Sequence, residues 1–177
     1  MALDKNSNAF TFIFSIVMVV IVGAALSFAS ISLKPLQEKN ALDKKMMNIL
    51  SSVGVEADRS NAGEKFYDIV KKRITLNSEG EVIEEGEGIV DPKNTVDPFN
   101  VDVQKEYRSP DMKPEDRNYP LYIAEIDGQE IVVIPLAGKG LWGPIWGYIS
   151  LEGDMNTIYG ASFDHTSETP GLGAEIK

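Results

Sequence analysis

From Phe10 to Leu33 the chain reads FTFIFSIVMVVIVGAALSFASISL, 24 residues without a charge, with Lys5 before it and Lys34 after it. A helix of that length rises about 36 Å, enough to cross a hydrocarbon core of about 30 Å. The run therefore predicts a single transmembrane helix over residues 10–33, preceded by a short tail (1–9) and followed by one domain (34–177). A cleaved secretory signal is the competing reading. Small residues do stand near its end (Ala29, Ser30, Ser32), but the run exceeds the ~7–15 residues of an apolar signal core. A pilin-type assembly helix would carry an acidic residue after Phe10, and none occurs there. The flanking charges constrain orientation weakly. Lys34, Lys39, Lys44 and Lys45 outnumber Lys5, which taken alone would hold the domain in the cytoplasm, yet they alternate with Glu38 and Asp43.

Charge and composition narrow the chemistry. With 27 acidic against 17 basic residues the net charge is −10, which repels phosphate backbones and excludes nucleic acid as an expected partner. The absence of cysteine removes disulfides, thiolate metal sites and cysteine nucleophiles. A single histidine, His165, leaves no His-rich metal site and would have to serve any Ser-His-Asp arrangement alone.

After Pro35, the apolar residues Leu36, Leu42, Met46, Ile49, Leu50 and Val53 recur at helical spacing until Gly54. A second helix is expected over residues 63–74, with Phe66, Ile69, Val70 and Ile74 on one face and Lys71, Lys72 and Arg73 toward solvent. Both stripes read as core packing. A turn at Glu79-Gly80 leads to a short strand around Val82-Ile83, and from Asp91 to Pro120 four prolines (92, 98, 110, 114) predict a long surface connection that could serve for docking. Two hairpins follow. Leu121–Ile126 and Ile131–Leu136 flank Asp127-Gly128, and the segment IWGYISLEGDMNTIYGASF turns at Gly153-Asp154. The expected class is α+β, an antiparallel sheet with the helices packed on one face.

Chemistry has two candidate places. Between the hairpins lies GKGLWGPIWGY, with glycines at 138, 140, 143 and 147 beside Trp142 and Trp146. Two arrangements satisfy this pattern: a flat surface where a planar ring approaches the backbone, or a strand corner with both indoles in the core. It is neither a P-loop nor a dinucleotide fingerprint. The second place is DHTSETPGLGAEIK, from Asp164, where Pro170, Gly171 and Gly173 precede what looks like the first turn of a helix. Free amides there, with hydroxyls from Thr166, Ser167 and Thr169, suit an anionic or carbonyl-rich ligand. His165 has the right intrinsic pKa for a general base, but no nucleophile in a recognisable setting accompanies it, and an exposed histidine is expected.

From Gly138 to Ile176 the order Gly-Leu-Trp, strand, Asp, strand, His, Glu-Thr-Pro-Gly-Leu-Gly closely resembles the C-subunit family of sodium-translocating NADH:quinone oxidoreductases, among FMN-binding domain proteins. The likeness extends more loosely to the N-terminal anchor and the helices after it. It implies a single-pass protein of the bacterial inner membrane, its main domain periplasmic, working with the other membrane subunits of that complex. It also implies FMN joined by a phosphoester to a threonine in a Ser-Gly-Ala-Thr motif downstream of Glu-Thr-Pro-Gly-Leu-Gly. The sequence shows no such motif before Lys177. Tyr159-Gly160-Ala161-Ser162 lies upstream and ends in serine, so the attachment is not carried onto it. The chain is accordingly expected to be a truncated form of a longer polypeptide.

The implied role is flavin-borne electron transfer within an NADH:quinone reductase, with no catalytic acid or base supplied by this segment. Gly140, Leu141 and Trp142 are expected to line one side of the flavin ring, and Glu168, Thr169, Gly171, Leu172 and Gly173 the other. Two further readings remain open: the G subunit of the Rnf electron-transport complex, which shares Glu-Thr-Pro-Gly-Leu-Gly, and a membrane-tethered assembly protein without redox activity.

Overall fold

The computed structural model describes residues 7–140 and 143–165. The chain packs as two units, Met1–Leu42 and Asp43–Lys177. The first is the N-terminal part of one helix, α1 (Asn8–Ser52), whose apolar window has a mean hydropathy of 2.7 and no buried residue. By length and composition it can cross a membrane. Phe12, Val19, Phe28 and Ile31 are each about 70% exposed, so the helix is apolar all round rather than along one stripe. α1 runs through Pro35 without ending there. Proline removes one backbone donor, at about 3 kcal/mol, and good helix formers on both sides carry the helix past it. Leu36, read as part of the amphipathic stripe, is 59% exposed; that stripe is buried only from Met46 onward.

The second unit is a six-stranded antiparallel sheet in the order β2-β1-β3-β4-β5-β6, formed by β1 (Val70–Leu76), β2 (Val82–Gly86), β3 (Tyr119–Ile126), β4 (Gln129–Lys139), β5 (Pro144–Glu152) and β6 (Ile158–His165). Both expected hairpins are present. Asp127 and Gly128 have φ of 50° and 78°, the left-handed pair that a two-residue hairpin turn needs to match strand twist. The second turn is closed by Asp154, whose carboxylate accepts from the Asn156 and Thr157 amides and the Thr157 hydroxyl.

The helix expected over residues 63–74 is overturned in its second half. α2 (Ala62–Ile69) ends at Ile69, and Val70 begins β1. Val-Lys-Lys-Arg-Ile-Thr-Leu is rich in β-branched residues, and Val70, Arg73 and Thr75 are buried while Lys71 is exposed. Arg73 thus points inward, not to solvent. It donates to both carboxylate oxygens of Asp97 (3.1 and 2.8 Å) and to the Gly88 carbonyl at 2.9 Å. That pair revises the proline-rich connection as well. Asp97 caps a 3-10 turn, Pro98–Asn100, and Pro98 and Phe99 are buried; a short helix, α3 (Val103–Arg108), follows.

One sheet face carries the core. The row Arg73, Tyr122, Val133, Ser150, Gly160 runs across β1, β3, β4, β5 and β6 in register. Met46, Ile49, Leu50 and Val53, Phe66 of α2, and Phe99 are buried with it. Rings meet edge to face along Phe66, Phe99, Tyr122 and Tyr148, with centroids 5.3–6.3 Å apart. The Ser150 hydroxyl donates to the Ser52 carbonyl. A Cβ on Gly160 would stand 2.4 Å from that same oxygen, so glycine lets β6 pass under the end of α1.

Candidate functional site

β4 and β5 pair without interruption from Ile131↔Glu152 to Lys139↔Pro144, and beyond that pair the Gly140 amide donates to the Gly143 carbonyl at 2.8 Å. The glycine-rich segment is therefore the end of a hairpin. Its glycines do different things. A Cβ on Gly147 would lie 2.3 Å from the Ser162 carbonyl and 2.6 Å from the Phe163 ring, whereas one on Gly138 would meet nothing nearer than 3.6 Å. Gly147 permits β6 to close on β5, while at Gly138 a Cβ would make only ordinary contact with the Ile145 side chain. Trp146 is half-buried, not in the core as the corner reading required.

Register also joins the two stretches singled out in the sequence. Gly138 lies opposite Ile145, and Ile145 opposite His165. With strands about 4.8 Å apart, the His165 backbone lies about 10 Å from Gly138, at the same end of the sheet as Gly140. Asp164, one residue earlier, faces the covered side and forms a 2.6 Å ion pair with Lys44. Partial burial pushes its carboxyl upward, but hydrogen bonds from Lys44, the His165 amide and Asn48 outweigh this and hold it below the ordinary aspartate range. His165 is half-buried rather than fully exposed.

A cleft of about 690 Å³ opens at this end, lined by Tyr107 and Arg108 of α3, by Arg117, and by Gly138, Lys139, Gly140, Gly143 and Pro144 of the hairpin. Its size is that of a small-molecule pocket, roughly 300–1,000 Å³. α3 is held there by Glu106, whose carboxylate accepts from the amide (2.7 Å) and side chain (2.8 Å) of Asn118, next to Arg117. Of the residues expected to bind a cofactor, Gly140 lines this cleft. Leu141, Trp142, Glu168, Thr169, Gly171, Leu172 and Gly173 lie outside the described residues. Sequence reasoning missed Arg108 and Arg117, which stand in the segment taken as a connection. The signal was two arginines in an acidic, proline-rich stretch, one of them after Tyr107. No group of three or more potential metal ligands occurs among the described residues.

The FMN-binding domain family matches residues 140–177, beginning at the glycine that lines the cleft. Over 98% of its length the chain is 27% identical to the C subunit of the Na(+)-translocating NADH-quinone reductase of Pseudomonas aeruginosa, covering 69% of that protein. It is 28% identical, with the same coverages, to that of Neisseria meningitidis serogroup A. A solved structure of the C subunit of this reductase from Parabacteroides distasonis matches 81% of the chain with a TM-score of 0.67 and 39% identity, and the chain spans 63% of that protein. Over nearly its whole length the chain is thus similar to C subunits of Na(+)-translocating NADH-quinone reductases, and from Gly140 onward it matches the FMN-binding domain.

Proposed function

We propose that the chain is a membrane-anchored, flavin-carrying electron-transfer component of a Na(+)-translocating NADH:quinone reductase complex. The observation that carries this reading is the register Gly138–Ile145–His165, which brings the glycine-rich hairpin end and His165 to one end of the sheet, where the FMN-binding match begins at Gly140. The cofactor that fits is FMN. The cleft has the volume of a small-molecule site, and its walls combine the glycines Gly138 and Gly140 with cations from Arg108, Arg117 and Lys139, which suit a phosphate-bearing ligand.

When bound, FMN supplies the redox chemistry, taking up electrons and passing them on. The chain's own part is to hold and orient it. Gly140, Leu141 and Trp142 form one wall in this reading, and Glu168, Thr169, Gly171, Leu172 and Gly173 the other. The apolar helix keeps the site near the partner membrane subunits, which raises their effective concentration. Domain limits of 10–33 for the membrane span and 34–177 for the flavin domain, a periplasmic setting and a covalent link through a threonine outside this segment belong to the same proposal.

The test is to isolate the protein from membranes in mild detergent and record its visible spectrum before and after denaturation. A flavin spectrum in the native protein is expected, and a colourless, fully folded protein would refute the assignment. Flavin that stays with the polypeptide on denaturation would support the covalent link.

A further inference from the structure

We propose that Arg108, Arg117 and Lys139 form a binding cleft for a phosphate-type oxyanion, at the junction of α3 with the β4–β5 hairpin. The protein as a whole carries a net charge of −10, so a concave surface with three cations departs from its general field. Among the described residues none of the three is in an ion pair. Arg108 spends Nε and Nη2 on Gln104, at 3.2 and 3.0 Å. Arg117 lies over the Tyr107 ring, 5.4 Å from its centroid, and its buried Nε has no hydrogen-bond partner. A guanidinium stacked on an aromatic face is fixed in direction, and a buried N–H left without an acceptor costs free energy until an acceptor arrives.

The Glu106–Asn118 bonds hold the two arginine-bearing segments together, so the cleft is pre-organised. Arginine forks match tetrahedral oxyanions, and Gly138 contributes backbone rather than a bulky side chain to the cleft wall. Two sources could present this chemistry: the phosphate of a flavin nucleotide, or free phosphate. Esterification does not remove the attraction, since a phosphodiester keeps one negative charge. In the first case the inference rests on the flavin reading above; in the second it does not.

Riboflavin and FMN differ only in the phosphate, which makes the pair the natural probe. Flavin-free full-length protein in detergent would be titrated with each, with inorganic phosphate as competitor. Wild type, the triple variant R108Q/R117Q/K139Q and the control R59Q would be compared, each checked by circular dichroism, with R117K as the conservative variant. FMN should bind at least about tenfold more tightly than riboflavin, as expected for charge-assisted hydrogen bonds. Inorganic phosphate should weaken FMN binding and leave riboflavin binding alone. The triple variant should bind the two flavins alike, R59Q should behave as wild type, and R117K should recover part of the difference. Equal binding of both flavins to wild type, with no effect of phosphate, would overturn the inference and leave the flavin site standing. If neither flavin binds but phosphate raises the melting temperature of wild type and not of the triple variant, the cleft stands with free phosphate as ligand and the flavin reading falls. No response to any of the three would overturn both.

Discussion

Arg73 and Asp97 are 1% and 6% exposed and joined by two hydrogen bonds, so each charge depends on the other for compensation. Asp97→Ala should therefore destabilise the protein by about 3–5 kcal/mol, the cost of stranding a buried charge, read as a lowered midpoint in chemical denaturation. Lys45 is a second charge drawn partly out of water. Its ammonium donates to the Phe99 and Val101 carbonyls and sits over the Phe99 ring, and burial lowers its pKa from 10.5 to about 8 against the opposing pull of Asp102 and Asp97. Between those two pH values the unfolded chain holds a proton that the folded chain has released, so this group makes stability rise with pH across the window. Melting curves from pH 7.5 to 10.5 should show that rise, and Lys45→Met should remove it. Neither placement could be read from the sequence. Lysine and arginine default to solvent, and only Asp97, 24 residues away, and the carbonyls around Phe99 reveal where these two point.

Among the elements, those set by local chemistry were legible. Asp127-Gly128 specifies its own turn, and the alternation on either side specifies β3 and β4. β1 was not legible because Phe66, Ile69, Val70 and Ile74 satisfy a helical period by coincidence, and pairing with β3 decides the matter. The core role of Pro98 and Phe99 was hidden for a related reason: short apolar insertions in a proline-rich stretch show no periodicity. The glycine-rich hairpin was recognised as special, but sequence could not say which glycine does what. Packing does. Gly147→Ala should separate β5 from β6 and cost several kcal/mol, whereas Gly138→Ala, with its nearest neighbour at 3.6 Å, should change the melting temperature little.

At the scale of the whole molecule, an uncharged helical run long enough to cross a membrane precedes a domain of net negative charge. Deleting residues 1–42 should move the protein from the membrane fraction to the soluble fraction while leaving the circular dichroism of the sheet in place. The long apolar helix was plain from composition; the cationic cleft was not, because it is assembled from residues some thirty positions apart. The central claim is that one end of the sheet holds the flavin. Hydrogen exchange of the full-length, flavin-free protein, followed by mass spectrometry with and without FMN, tests it most directly. Slowed exchange confined to peptides covering residues 107–118, 138–147 and those from His165 onward is the predicted result. Protection at the opposite end, around the Asp127-Gly128 turn, or none anywhere, would contradict it.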